Sequence, residues 1–138
     1  MKVVFIDTNV ILDVLLQNDI FFEDSLKIFR LAEMGIIRAY VSASSLTDIF
    51  YITRKQLTIA AARNAIKSLL TIFRVVGVDG SDLEGALNMP ILDVEDALQL
   101  WSAEKIHAEV LVTRDIKGFP YATITVMTPA DFCLSINF

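Results

Sequence analysis

Lys2-Val3-Val4-Phe5-Ile6-Asp7-Thr8-Asn9-Val10-Ile11-Leu12 changes character at one residue. Up to Ile6 it is a short, continuous apolar run rich in β-branched side chains, the pattern of a strand buried on both faces. Asp7, Thr8 and Asn9 end that run, and all three residue types cap helix N-termini, so a short helix is expected from there through Leu16. A buried strand that turns directly into a helix is the repeating unit of a parallel sheet covered by helices.

The same alternation continues along the chain. Phe22, Leu26, Phe29 and Ala32 recur at helical spacing, and Gly35 is placed to stop that helix. Ile36 to Val41 reads as the next strand. Ser42 or Ser44 can cap a helix through Ile52, and Thr58 another with Ile59, Ala62, Ile66 and Leu69 on one face. Phe73 to Val78 reads as a further buried strand. Ser81 with Glu84 forms a capping-box pattern, and Pro90 closes that helix. A helix from Val94 to about Ile106, with Ala97, Leu100, Trp101 and Ala103 inward, precedes a strand at Glu109 to Thr113. A last strand at Ala122 to Met127 leads into Thr128 and Pro129, a cap followed by proline at the first helical position. The expected fold is a three-layer α/β/α sandwich around a parallel sheet of about five strands.

Length and composition fit this. With 138 residues the chain has room for one domain spanning 1–138 and one core. Hydrophobic residues make up 54% and charged residues 21%, which excludes a disordered chain. Asp7, Asp13 and Asp19 interrupt the N-terminal apolar stretch, so neither a membrane span nor a signal peptide is expected there, and the expected location is the cytoplasm. The lone Cys133 forms no intramolecular disulfide and reads as buried filler in the last helix; no Cys/His spacing indicates zinc. His107 falls at a helix end, where a cation suits the dipole.

In a parallel sheet ligands bind beyond the carboxyl ends of the strands, so polar residues that terminate strands are the candidates. Asp7 follows the first strand and Asp115 follows the Glu109 to Thr113 strand. Asp93 and Asp96, three apart at a helix start, are expected to project together while Glu95 points elsewhere. Asp48, one turn into its helix, can reach the same edge. Carboxylates gathered in one place repel and need a counter-charge. With neither histidine nor cysteine among them, Mg²⁺ or Mn²⁺ suits the set better than zinc, and such a cation serves phosphodiester hydrolysis. The net charge of −5 would otherwise disfavour nucleic acid, but acids gathered around cations leave the remaining surface closer to neutral. Arg54 and Lys55, with Arg63 and Lys67, could track an RNA backbone; a solvated helix face is the plainer reading of all four. Trp101 and Tyr51 are expected to pack rather than to stack on bases.

FIDTNVILD at 5–13, LDVEDALQLWSA at 92–103 and VTRD at 112–115 resemble the three signature segments of PIN domains, including the VapC-type toxin ribonucleases, and YVSASSLTDIFYITRK at 40–55 resembles the segment carrying that family's second acid. The resemblance runs nearly end to end. It implies a metal-dependent endoribonuclease in which Asp7, Asp96 and Asp115 bind metal and Asp48 fills the second acidic position, where the family more often has glutamate. It further implies Asp93 as an auxiliary acid, and Thr8, Asn9 and Thr113 as residues that hold the carboxylates by hydrogen bonds. Taken alone, Thr8, Asn9 and Asp93 would equally serve as helix-start residues. The implied partners are RNA, a small antitoxin and a second copy of the chain. A free-standing PIN ribonuclease of RNA turnover and a non-catalytic binding module are the alternatives. A phosphohydrolase of haloacid-dehalogenase type also opens on a strand ending in aspartate, but needs a second aspartate where this chain has Asn9.

Overall fold

The computed structural model describes residues 2–138. The order is β1 (Lys2–Ile6), α1 (Thr8–Leu15), α2 (Phe22–Glu33), β2 (Ile37–Ser42), α3 (Ala43–Gln56), α4 (Ile59–Ile72), β3 (Arg74–Val76), α5 (Gly80–Leu87), α6 (Val94–Lys105), β4 (Val110–Val112), β5 (Thr125–Met127) and α7 (Pro129–Ser135), with a 3₁₀ turn at Ile116–Gly118. The five strands form one sheet in the order β3-β2-β1-β4-β5, and every pairing is parallel. The expected α/β/α sandwich is therefore the architecture observed.

Strand alternation sorts the core into two layers. Val4, Ile6, Val110 and Val112 face α1 to α4 and α7, meeting Val10, Ile11, Ile28, Phe29, Leu46, Ile49, Leu69 and Phe132. Phe5 and Leu111, the residues between them, face the other way onto Leu100 and Ala103 of α6. Cys133 is buried in the first layer. Among the described residues no helix is long and apolar enough to cross a membrane.

Several boundaries differ from the sequence reading, each for a local reason. β3 spans three residues rather than Phe73 to Val78 and is an edge strand, with Arg74 and Val75 exposed. β5 is equally short and occupies the opposite edge, so only Thr125 to Met127 find a partner. Ile59 is exposed in the first turn of α4, before the helix reaches the core. The capping box of α5 is Asp79 with Asp82 rather than Ser81 with Glu84: Asp79 accepts from the Ser81 and Asp82 amides, and the Asp82 carboxylate accepts from the Asp79 amide.

Asp82 also fastens α5 to α6. Its Oδ1 accepts from Trp101 Nε1 at 2.9 Å and its Oδ2 from Lys105 Nζ at 3.0 Å. The indole of half-buried Trp101 lies against Gly85, where an added Cβ would come within 2.3 Å of the ring. Hydrogen bonds from the Asp79 amide, Trp101 and Lys105 hold the Asp82 carboxyl down to about 2.

Candidate active site

The strand order reverses between β1 and β4: β2 and β3 lie to one side of β1, and β4 and β5 to the other. Such a switch point leaves a crevice at the carboxyl edge. Asp7 stands there as the N-cap of α1, in extended backbone conformation, with its amide bonded to the Val112 carbonyl of β4. Its Oδ1 accepts from the Thr8 amide at 2.8 Å and from Gln99 Nε2 at 2.9 Å, and its Oδ2 accepts from Thr113 Oγ1 at 2.8 Å. Asp7 is 7% exposed, so a single orientation of its carboxylate is held from three directions.

A hydroxyl and amide network backs this arrangement. Ser42 caps α3 by accepting from the Ser45 amide; Thr8 Oγ1 donates to Ser45 Oγ, and Ser45 Oγ donates to Gln99 Oε1 at 3.2 Å. Gln99, Ser45 and Ser42 are buried, and together they tie α1, α3 and α6 to one carboxylate. Thr113 Oγ1 also accepts from the Asp115 amide at 3.1 Å, and Asn9 Oδ1 accepts from the Arg114 amide at 3.3 Å. Thr8, Asn9 and Thr113 thus hold the strand ends together, beside whatever chemistry the acids perform. Gln99 and Ser45 were not singled out in the sequence. Gln99 lies four residues after Glu95 on α6, and that spacing on a helix starting with acids was the available signal.

Asp93 accepts from the Asp96 amide at 2.9 Å, so its carboxylate caps α6 while adding negative charge to the cluster. Burial, then Asp93, Asp7, Glu95 and Asp115 in that order, push the Asp96 carboxyl up to about 6. Glu95, expected to point elsewhere, belongs to the cluster: burial followed by Asp48, Asp7 and Asp93 raises its carboxyl too. It shares a cavity of about 300 Å³ with Thr8, Asp48, Tyr51 and Ile52. The first turn of a helix spreads its side chains over more of the circle than a three-residue spacing rule conveys. The acids therefore form one line of influence: Asp48 acts on Glu95, Asp115 on Asp96, and Asp7 and Asp93 on both.

Among the described residues none of these acids forms an ion pair. Arg114, between Thr113 and Asp115, turns away: its Nε lies 3.3 Å from Asp13 Oδ2 and its guanidinium lies over Phe21. Arg54 and Lys55 sit over the ring of Tyr51, which is 54% exposed rather than packed, at the mouth beside Asp48. Arg63 and Lys67 lie elsewhere, in a groove with Leu46, Thr47, Phe50 and Ile66 between α3 and α4. Arg54 and Lys55 thus flank the Tyr51 ring, and Arg63 and Lys67 line the groove between α3 and α4.

Hard, uncompensated carboxylate oxygens are the donor set that Mg²⁺ or Mn²⁺ prefers. Gly118 lets the backbone approach Asp96 without crowding its carboxylate, since a Cβ there would come 3.0 Å from Asp96 Oδ2. Among the described residues no three histidine, cysteine, aspartate or glutamate side chains are gathered into a ready-made cage. Mg²⁺ usually takes only one or two carboxylates directly and keeps several waters, so the open line of acids fits it.

A PIN-domain family model matches residues 3–117, which include all of these acids. The chain is a PIN domain. It is 25% identical to Ribonuclease VapC1 of Aquifex aeolicus over 135 residues, covering 94% of this chain and 92% of that protein. In fold it is similar to VapBC from Salmonella typhimurium, solved bound to DNA, with a TM-score of 0.70 at 17% identity over 94% of this chain and 99% of that one. It is also similar to PAE2754 from Pyrobaculum aerophilum, with a TM-score of 0.64 at 15% identity over 99% of this chain and 91% of that one.

Proposed function

We propose that this PIN domain is a divalent-metal-dependent endoribonuclease, the toxin half of a toxin–antitoxin pair. The observation that carries the reading is the line of carboxylates without cationic partners at the sheet's switch point, buried at Asp7, half-buried at Asp96 and open to solvent at Asp48, Glu95 and Asp115, with Asp96 forced up to about 6 by burial and its neighbours. Similarity to Ribonuclease VapC1 supports ribonucleolytic chemistry, and the toxin–antitoxin complex among its fold neighbours supports an antitoxin as partner; a cytoplasmic location and pairing with a second copy of the chain belong to the same proposal.

Asp7, Asp96 and Asp115 would hold Mg²⁺ or Mn²⁺, with Asp48, and Glu95 beside it, completing the charge. When bound, the ion supplies Lewis acidity for the phosphoryl oxygens and makes water a better nucleophile. The chain's own contribution is orientation. Thr113 and Gln99 fix the Asp7 carboxylate from opposite sides, Thr113 ties the Asp115 amide to it, and Asp93 holds the first turn of α6 so that Asp96 faces the crevice. Above pH of about 6 Asp96 is ionised and available to a cation; below it, protons compete.

The test is to incubate purified protein, stripped of any bound inhibitor, with labelled RNA in Mg²⁺ or Mn²⁺, with and without chelator, beside Asp7→Asn. Cleavage by the unaltered chain alone, abolished by chelator, is expected; equal cutting by Asp7→Asn would trace the activity to a contaminant. A small protein that co-purifies favours the toxin over a free-standing nuclease of RNA turnover. The open spacing of the acids also favours a second reading, a non-catalytic RNA-binding module. No cleavage of any RNA, with binding unchanged in Asp96→Asn, would select it.

A further inference from the structure

Thr113 donates to Asp7 and Asp115 adds to the repulsion at Asp96, yet Arg114 between them sends its side chain toward α1 and the start of α2. It is held there at three points. Its amide donates to Asn9 Oδ1 at 3.3 Å, its Nε stands 3.3 Å from Asp13 Oδ2, and its guanidinium lies 4.7 Å from the centre of the Phe21 ring. Asn9 and Asp13 are four residues apart on α1, so one face of that helix grips Arg114 by backbone and by side chain.

Asp13 is an unusual residue to find in such a place. It is 3% exposed, and its Oδ2 accepts no hydrogen bond. Burial pushes its carboxyl up, and the Arg114 guanidinium is the charge that pulls it back. A buried ion pair of this kind adds little to stability, because apolar side chains of similar volume do as well or better in the same space. What the pair adds is direction: a buried charge tolerates one placement of its partner, whereas apolar groups can slide.

Asp115 is the acid with most need of that direction. Asp7 is gripped through both carboxylate oxygens, but among the described residues the Asp115 carboxylate accepts no hydrogen bond. Its place is set by backbone alone. Its amide donates to Thr113 Oγ1 at 3.1 Å and its carbonyl accepts from the Gly118 amide at 3.2 Å, so whatever holds residue 114 also holds the acid that follows it.

Resting on the nuclease reading above, we infer that Asp13 and Arg114 are positioning residues for the metal site. Their ion pair anchors the Thr113–Asp115 segment to α1 and thereby fixes where the Asp115 carboxylate stands relative to Asp7 and Asp96. Arg114 acts through its neighbour and touches neither cation nor RNA.

The experiment compares the whole unaltered chain with Arg114→Met, Asp13→Leu and the two combined. Three quantities are read: melting temperature, hydrogen exchange at the Asp115 amide without metal, and Mn²⁺ affinity from the paramagnetic resonance of free Mn²⁺. Arg114→Met strands a buried carboxylate and is expected to lower the melting temperature; the combined variant puts apolar groups in place of the pair and is expected to recover it. The site is not expected to recover with it. In the combined variant the Asp115 amide should exchange several-fold faster, and Mn²⁺ should bind about tenfold more weakly, the low end for partners that orient metal ligands. Asp13→Asn, which keeps the shape and loses only the charge, should shift both readings the same way, and it carries the test if the combined variant folds poorly. Return of Asp115 protection and Mn²⁺ affinity together with the melting temperature would make the pair a structural fastener and overturn the inference. Loss of RNA affinity alone, with both readings unchanged, would overturn it too, by making Arg114 a phosphate contact. An unaltered chain that binds no Mn²⁺ would defeat the nuclease reading instead, and exchange at Asp115 would still decide whether the anchor exists.

Discussion

Two carboxylates near α6 have opposite surroundings. Asp82 meets an indole N–H, an ammonium and a backbone amide, and its carboxyl is held down to about 2. Asp96, on the first turn of α6, meets Asp93, Asp7, Glu95 and Asp115, and its carboxyl is pushed up to about 6. The same side chain is a fastener where donors surround it and an unmet electrostatic demand where other acids do. Only the second arrangement leaves charge unmet, and that separates the two ends of α6.

The largest effect expected from breaking this contrast is at Asp96. Asp96→Asn should reduce RNA cleavage by at least about 100-fold, the upper range for residues around a bound metal. At pH 7 without metal it should also raise thermal stability, by about 1–2 kcal/mol once exposure to solvent is allowed for, because it removes a charge that its neighbours resist. A lower melting temperature for this variant in chelator would contradict the account.

Gln99→Leu comes next. It keeps the volume but removes the donor to Asp7 and the acceptor for Ser45, and should cost about 10–100-fold in cleavage or metal affinity. Unchanged Mn²⁺ affinity and rate would show that Asp7 is held well enough without it. At the structural end, Gly85→Ala drives a methyl into the Trp101 indole and should destabilise by about 1–3 kcal/mol, measured by denaturant unfolding, with cleavage per folded molecule unchanged.

The smallest expected effect is in pH. For Asp96 the unfolded chain loses its proton near 4 and the folded chain near 6, so metal-free stability falls as pH rises between those values. Asp82 has the opposite sign: its stabilisation is complete above about 4 and is lost as pH falls toward 2. Chelated protein should therefore be most stable on the acid side of pH 6, and Asp96→Asn should flatten the decline above pH 4 while Asp82→Asn leaves it in place.

Much of this was legible in the order of residues. The run Val3 to Ile6 followed by Asp7 announces a buried strand and a capped helix, because burial on both faces and capping are local demands. The carboxyl-edge position of Asp7 and Asp115 follows from the parallel sheet alone. Three things were hidden. Glu95 joins the cluster through the way the first turn of α6 lies over α1 and α3, a tertiary matter that periodicity does not carry. Gln99 drew no reading from the sequence, and only the packing of α6 places it between Thr8 and Ser45. The ends of β3 and β5 were overestimated because an apolar run can continue past the last residue that finds a hydrogen-bonding partner.

Those two outermost strands, three residues apiece, have a consequence for how the molecule meets its own kind. A flank this short offers few free backbone groups for a stranger's chain to zip onto, so growth of the sheet from molecule to molecule is blocked at both margins. Copies of this protein crowded together are left with helical faces as their means of recognition, and such contacts close on themselves far more readily than they propagate into fibrils.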